Sequence, residues 1–428
     1  MGKKVVVLGA GYGGIFAAAN LCKHKIFDIV IIDKNPYHQL LQQIPYIVSG
    51  AKDSANITIR LEELFRDEIA EGFLRVSHAI IKSIDLMRRT IKLQQVSDTG
   101  SDENLQYDYL IISLGAETHY FDVDGAEKHC MTFRSVQDAI KIRQIIESLP
   151  TNSNVVVGGG GPTGVSLAAA LSEMDAVREK ELKVKILDSA ATLLPGWDER
   201  LIATSERVLT AKGVQIITDE KIKRVRSNFL ETESGKVIES DCTIWTAGVK
   251  GYDINIMPEV QRTKAGRIVV DRYSRIPGFE NAFAIGDISA FAILDSKENM
   301  MMMPTNITPQ LAQFAVRQAR FVADNIARKD KEDEMSDKFT FSQRGHTILL
   351  GNKSIGLLGG LLVIGRMCDY AEDSIVDNFV MEIRNKEKGI STKAIKAIEN
   401  MESSEEEYPA ASSFVKYATS EVFLDLIR

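Results

Sequence analysis

Gly9-Ala-Gly11-Tyr-Gly-Gly14, read with the apolar run Val5-Val-Val-Leu8 before it and Asp33 after it, decides the fold of this chain. The glycines stand where a strand gives way to a helix running from Ile15 to Lys23. Gly9 permits the tight turn, Gly11 lets backbone amides approach a pyrophosphate, and Gly14 lets the helix pack close to the strand. Asp33 ends the next strand, where an acid accepts hydrogen bonds from a ribose diol. A GxGxxG alone is a weak signal, because glycine turns between strands and helices are common. Strand, helix and acid at the expected distances make it a dinucleotide-binding unit.

The pattern recurs. Gly159-Gly-Gly161-Pro-Thr-Gly164 follows Val155-Val-Val157, its helix runs through Leu167-Ala-Ala-Ala-Leu171, and Asp188 closes the strand Val184-Lys-Ile-Leu187. An acid there favours a free 2′-hydroxyl and repels a 2′-phosphate, and the neighbouring Ser189 and Ala190 supply no arginine for NADPH, so NADH is expected. An ordinary dehydrogenase needs one such fingerprint. Two imply electron transfer between two bound cofactors. Ala284-Ile-Gly286-Asp287, after the presumed strand Ala282-Phe-Ala284, adds a carboxylate where a long ligand is held at its middle; the same residues also read as an ordinary turn.

The remaining elements fit an α/β chain. Phe73–Val76 and Thr90–Leu93 read as a hairpin, and Tyr107-Asp-Tyr-Leu-Ile-Ile112 as a buried strand ending near Gly115. Val214–Ile217, Cys242–Trp245 and Arg267–Val270 continue as strands, and 309–328 as a helix with apolar spacing at Leu311, Ala315, Val322 and Ile326. The charged stretch from Arg328 to Glu334 reads as a solvated linker.

With 428 residues the chain has room for two to three domains, and a formal net charge of -7 excludes the basic footprint of a nucleic-acid binder. Cys22, Cys130, Cys242 and Cys368 form no close pair in sequence, which argues against zinc sites and vicinal redox disulfides; no metal is expected. Met1-Gly-Lys-Lys runs straight into the first strand without the apolar region of a signal peptide, so a cytoplasmic location is expected. The apolar run Ile355–Ile364 is about half the roughly 20 residues of a membrane-spanning helix, which leaves only peripheral attachment.

In this order the elements resemble the two-dinucleotide-binding-domain flavoproteins of the glutathione-reductase type, and within that group the type II NADH:quinone oxidoreductases. The resemblance covers about Lys3 to Ile326. It rests also on Tyr107–Thr118 with Phe121 and Gly125, on the helix Ser135–Arg143, on Leu193-Leu-Pro-Gly-Trp-Asp198, and on Trp245-Thr-Ala-Gly-Val249. It implies two Rossmann-like domains. The FAD-binding domain would comprise 1–120 and 251–330, the NAD(H)-binding domain 121–250, and a C-terminal region 331–428 would dock on membrane or dimerise. Gly9, Gly11, Gly14 and Asp33 would hold the ADP half of FAD, with Gly115, Gly248, Gly286 and Asp287 completing the cofactor sites. Gly159, Gly161, Gly164 and Asp188 would hold NADH. His38 stands where the family also carries a histidine; an isolated histidine is more often structural than chemical.

Two positions depart from the family. Its quinone segment has the form AQxxxQ, whereas this chain reads Ala312-Gln-Phe-Ala-Val-Arg-Gln318, keeping Gln313 and placing Arg317 at the second position. Where the family has a glutamate in GGGPTGVE this chain has Ser166, which cannot titrate near neutral pH. Gln313 and Arg317, one helical turn apart, are the candidate acceptor-handling pair. The resemblance implies hydride transfer from NADH to flavin and two electrons onward to a quinone, without proton pumping, at the cytoplasmic face of the membrane. The alternatives are a sulfide:quinone oxidoreductase, which needs a cysteine pair beside the flavin, and a flavin-binding protein with little turnover. For membrane attachment the helical stretch Phe414–Arg428 is preferred to Ile355–Ile364, and a homodimer contact is the other use of such faces.

Overall fold

Val5, Val6, Val7 and Leu8 are completely buried, as the residues of a central parallel strand covered on both faces must be. In the computed structural model, which describes residues 2–97, 102–291, 310–336, 339, 341, 345–358, 361–365 and 368, Lys3–Leu8 pairs in parallel with Phe27–Asp33 on one side and Tyr109–Ile112 on the other. Leu74–Asp85 extends the sheet beyond Phe27–Asp33, and Ala282–Ala284 extends it beyond Tyr109–Ile112, both in parallel. Thr90–Gln95 returns antiparallel to the Ala79–Asp85 part of that strand, so the hairpin partner is not the expected Phe73–Val76, of which Leu74–Val76 pair in parallel with Ile29–Ile31. The single strand runs on past Val76 and turns only after Asp85, and Asp102–Gln106 adds a further antiparallel strand.

The helix Tyr12–Cys22 is buried from Gly13 onward, and its alanines let it lie close to the sheet. It packs against the helix Ala312–Asp330. That second helix is one-sided: Phe314, Ala315, Gln318, Ala319, Val322 and Ile326 are buried, whereas Gln313 and Arg317 are exposed.

The chain divides into two compact units. The first comprises Met1–Gln39, Thr58–Glu117 and Val249–Gln343; the second comprises Leu40–Ile57, Thr118–Gly248 and Arg344–Arg428. In the second, five parallel strands run in the order Cys130–Thr132, Cys242–Trp245, Asn154–Gly158, Lys183–Leu187, Gln215–Ile217. The helix Pro162–Glu173 is buried through most of its length. A three-stranded antiparallel sheet, Ile222–Val225, Phe229–Thr232 and Val237–Glu239, belongs to the same unit.

Three further expectations are corrected. Leu40–Ile57, expected within 1–120, belongs to the second unit, because the helix Pro45–Ser49 buries Pro45, Ile47 and Val48 and packs on Val136–Ser148 and Pro162–Glu173. Residues 331–336, expected to begin the C-terminal region, belong to the first unit; Asn325 donates to Ser336 O at 3.0 Å and accepts from Ser336 N at 2.8 Å, which ties the chain back to its helix. The run Ile355–Ile364 is no helix. Ser354–Leu358 and Leu361–Ile364 are antiparallel strands joined to Gly345–Leu349 in a three-stranded sheet. A short apolar run does not distinguish helix from strand by periodicity. Among the described residues no helix is long and apolar enough to cross a membrane. Phe414–Arg428 lies outside the described residues.

Candidate functional site

The first glycine turn has the geometry its sequence demands. Gly9 has φ +94°, and its N–H donates to Ile32 O at 2.8 Å. A Cβ on Gly14 would stand 1.8 Å from Gly9 O, so only glycine lets the helix approach this closely. A Cβ on Gly11 would meet nothing within 4 Å, and the helix that Gly11 caps has no side-chain cap hydrogen bond, which leaves the turn open where a pyrophosphate would approach. Asp33 accepts from Ala10 N at 2.7 Å and from Asn35 N at 2.8 Å. Burial raises its carboxyl above the usual carboxylate range, with these two bonds opposing.

His38 completes the turn from behind. A carbonyl can only accept, so His38 Nδ1 donates to Ala10 O at 2.9 Å, and the Ala10 residue is held at both its N–H and its C=O. The imidazole also makes an edge contact with Tyr12, ring centroids 4.7 Å apart. The sequence left open whether this histidine is structural or chemical; its place is that of a brace for the turn. Burial pushes His38 down to about 4, against the opposing bond to Ala10. In the unfolded chain it titrates near 6.5. Because the folded value is depressed, its contribution to stability is present above pH 6.5 and is lost as pH falls through the window from 6.5 to 4, up to roughly 3 kcal/mol. Thermal unfolding of His38→Gln beside the wild type is expected to show a weaker acid dependence in this window; parallel curves would remove histidine burial as the cause.

The second turn repeats the first. Gly159 has φ +118°, and a Cβ on Gly164 would stand 1.8 Å from Gly159 O and 2.7 Å from Thr246 Oγ1. A Cβ on Gly161 would meet nothing within 4 Å, and this helix too lacks a side-chain cap. Asp188 accepts from Gly160 N at 2.5 Å and from Ala190 N at 2.7 Å, the counterpart of Asp33 with Ala10 and Asn35. Leu194 N donates to Gly160 O at 2.8 Å and folds the following loop onto the turn. Thr246 Oγ1 donates to the Gly158 and Gly159 carbonyls at 3.1 and 3.0 Å. In both turns an oriented acid, an open space over the second glycine and an uncapped helix start fit the ribose and pyrophosphate of a dinucleotide. In the first unit a recess begins one residue past Asp33, lined by Lys34, Pro36, Val76, His78, Gln95 and Val96 among others.

Gly286, φ +71°, and Asp287 form a short turn after Ala282–Ala284, in the same unit as the first glycine turn. Arg267, buried, lies within electrostatic reach of Asp287; burial lowers the guanidinium, and the carboxylate opposes this. Gly115, also at positive φ, has open space where a Cβ would point. Gly248 is a glycine for a different reason: a Cβ there would stand 2.6 Å from the ring of Phe121. Ser166, at the position of the family's glutamate, is buried in the helix Pro162–Glu173. Sequence reasoning passed over Thr246, Phe121 as a cover for Gly248, and Gln318. Gln318 was legible in part, since it stands four residues from both Phe314 and Val322 on the apolar face.

Cys22, Cys130 and Cys242 are free thiols, each pushed by burial to about 12 and therefore protonated at neutral pH. Cys130 lies in the parallel sheet at the register of Thr243, and Cys368 lies against Gly356. A sulfide-handling cysteine must be a thiolate, which these environments disfavour. Among the described residues no group of three or more His, Cys, Asp or Glu gathers to hold a metal.

The chain is 26% identical over 370 residues to the NADH dehydrogenase-like protein YutJ of Bacillus subtilis, covering 85% of this chain and 95% of that one. It is 26% identical over 400 residues to the type II NADH:quinone oxidoreductase of Staphylococcus epidermidis, covering 87% and 94% respectively. The solved structure of NDH2 from Plasmodium falciparum in complex with NADH superposes with a TM-score of 0.76 at 18% identity, over 90% of this chain and 96% of that one. The sequence model of one family spans residues 3–319, both glycine turns and the Gly286–Asp287 turn included, and the chain belongs to that family, pyridine nucleotide-disulphide oxidoreductase.

Proposed function

We propose that this protein is an FAD-dependent NADH:quinone oxidoreductase of the non-proton-pumping type. The observation that carries the reading is the duplication of one binding geometry in two units of one chain. Each unit carries a glycine turn open to a pyrophosphate and an acid hydrogen-bonded to the turn. Gly9, Gly11, Gly14 and Asp33, with Gly115, Gly286 and Asp287, would hold FAD, and Gly159, Gly161, Gly164 and Asp188 would hold NADH, with Gly248 beside them in the second unit. Bound FAD supplies a hydride acceptor that passes electrons on in pairs. The side chains bind, orient and exclude water, and none is required as a nucleophile. The activities named for the Bacillus and Staphylococcus relatives support the reading. Under anaerobic conditions NADH is expected to bleach the flavin absorbance, and a soluble quinone to restore it. A flavin that stays oxidised with NADH would reject the proposal and favour a flavin-binding protein with little turnover.

Gln313 and Arg317 share the exposed side of the helix Ala312–Asp330 and would border the acceptor. Arg317 donates a charge-assisted hydrogen bond to a quinone carbonyl where the family's glutamine makes a neutral one. Arg317→Gln is expected to lower quinone reduction by about tenfold, the loss of roughly 1.5 kcal/mol, while NADH-driven flavin reduction is unchanged. Equal quinone rates would return Arg317 to the ordinary surface.

A quinone dissolves in the bilayer, so the reading includes peripheral attachment at the cytoplasmic face of the membrane. The C-terminal stretch Phe414–Arg428 supports this through its apolar spacing. Co-sedimentation with liposomes is expected for the full chain and not for a chain ending at Asn400; equal partition of the two removes the anchor.

A further inference from the structure

The side chain of Gln318 is completely buried, yet every polar atom it carries is engaged. Its Oε1 accepts from Gly286 N at 2.8 Å and from Ser289 Oγ at 3.2 Å. Its Nε2 donates to Ser274 Oγ at 3.1 Å and to Ala284 O at 3.5 Å. One amide thus joins the helix Ala312–Asp330 to the end of the strand Ala282–Ala284, to the Gly286–Asp287 turn and to the turn at Ser274. The turn needs such a holder. Gly286 is in the left-handed region, and its N–H points into the protein, where Gln318 Oε1 receives it. A buried donor left without a partner is costly, so the turn is stable in this form only while the amide is in place.

We infer that Gln318 is a positioning residue of the flavin site: it holds the Gly286–Asp287 turn in its binding conformation and locks it to the helix that carries Gln313 and Arg317 on its opposite side. The inference rests on the assignment of Asp287 to FAD under the proposed function. Gln318 does not touch the acceptor face, since Gln313 and Arg317 are exposed and Gln318 is not. Its role is to fix the turn from beneath, and the residue type is dictated by the need for one acceptor and one donor on a single planar group.

The test is the dissociation constant for FAD, measured by flavin fluorescence on deflavinated protein, with circular dichroism and Tm as folding controls. Gln318→Leu keeps the volume and removes the amide; its FAD dissociation constant is expected to rise roughly tenfold to a hundredfold, with the KM for NADH unchanged in the reconstituted protein. Ser274→Ala, which removes one of the four bonds, is expected to give a smaller loss in the same direction. Gln318→Glu supplies a rescue with a pH signature. Burial raises a carboxyl, and only its neutral form offers a donor and an acceptor together, so FAD binding in this variant is expected to recover as pH is lowered from 8.5 to 6.5. A folded Gln318→Leu with wild-type FAD affinity overturns the inference. Should Gln318→Leu fail to fold, unchanged affinity in Ser274→Ala together with a pH-independent Gln318→Glu overturns it equally. A wild-type chain that takes up no FAD defeats the proposed function itself, whereas wild-type uptake with indifferent variants defeats only the role of Gln318.

Discussion

Gly14→Ala is expected to purify without flavin, and Gly164→Ala to keep its flavin while losing NADH. The added methyl would stand 1.8 Å from the carbonyl of Gly9 in one variant and of Gly159 in the other. Neither obstacle is the far end of a flexible side chain. The helix must lift away from the strand, which moves the turn and the first amides of the helix together; overpacking of this kind costs about 1–3 kcal/mol or more. Since those amides and the turn would make the pyrophosphate site, binding falls by on the order of a hundredfold or more. Gly11→Ala is the informative contrast. Its methyl meets nothing within 4 Å, so the fold is expected to keep its Tm while the ligand, whose approach needs bare backbone, is held less tightly. Flavin content after gel filtration and NADH titration of each variant decide the matter. Gly14→Ala with full flavin occupancy would show that the first turn is not the FAD site.

Asp188→Arg is expected to raise the KM for NADH by roughly a hundredfold and leave flavin content as in the wild type, the equivalent of about 2.7 kcal/mol. The aspartate accepts from Gly160 N and Ala190 N, and its charge favours a ribose diol over a 2′-phosphate. Arginine removes both acceptors and reverses the preference, so the kcat/KM ratio of NADPH to NADH should swing toward NADPH. Ser189, exposed and uncharged, would not oppose a phosphate there. Unchanged constants for both nucleotides would place NADH elsewhere.

The two turns were readable from sequence because a glycine turn is a local requirement. Gly9 and Gly159 need positive φ, and Gly14 and Gly164 lie five residues on, where the helix meets its own strand. The helix at Ala312–Asp330 was readable for the same reason, that its pattern is short-range, whereas Thr90–Gln95 was readable as a strand but its partner, Ala79–Asp85 rather than Phe73–Val76, was not. What was not readable depends on distant partners. Pro45–Ser49 is five residues long, and nothing in it announces that it packs on helices about 90 to 120 residues later. Ile355–Ile364 carries apolar residues at nearly every position, so neither period stands out and strand pairing decided it. His38 and Gln318 are polar residues whose roles follow from what faces them. His38 could be noticed in sequence, but only Ala10 O facing Nδ1 shows that it braces the glycine turn.

The sheet of the first unit has a consequence for the living cell. Tyr109–Ile112 has Lys3–Leu8 on one side and Ala282–Ala284 on the other. The second neighbour is encoded about 170 residues after the first edge is complete, counting from Ile112 to Ala282. At a synthesis rate of about 5–20 residues per second, a nascent chain carries an unpaired apolar edge, Tyr109-Leu-Ile-Ile112, for roughly 10–30 seconds. During that time most of the second unit emerges. The insertion that lets one polypeptide carry two nucleotide sites therefore also delays closure of the sheet that was begun first. Chains released before residue 282 have no strand with which to cover that edge, and they are the truncation products expected to aggregate.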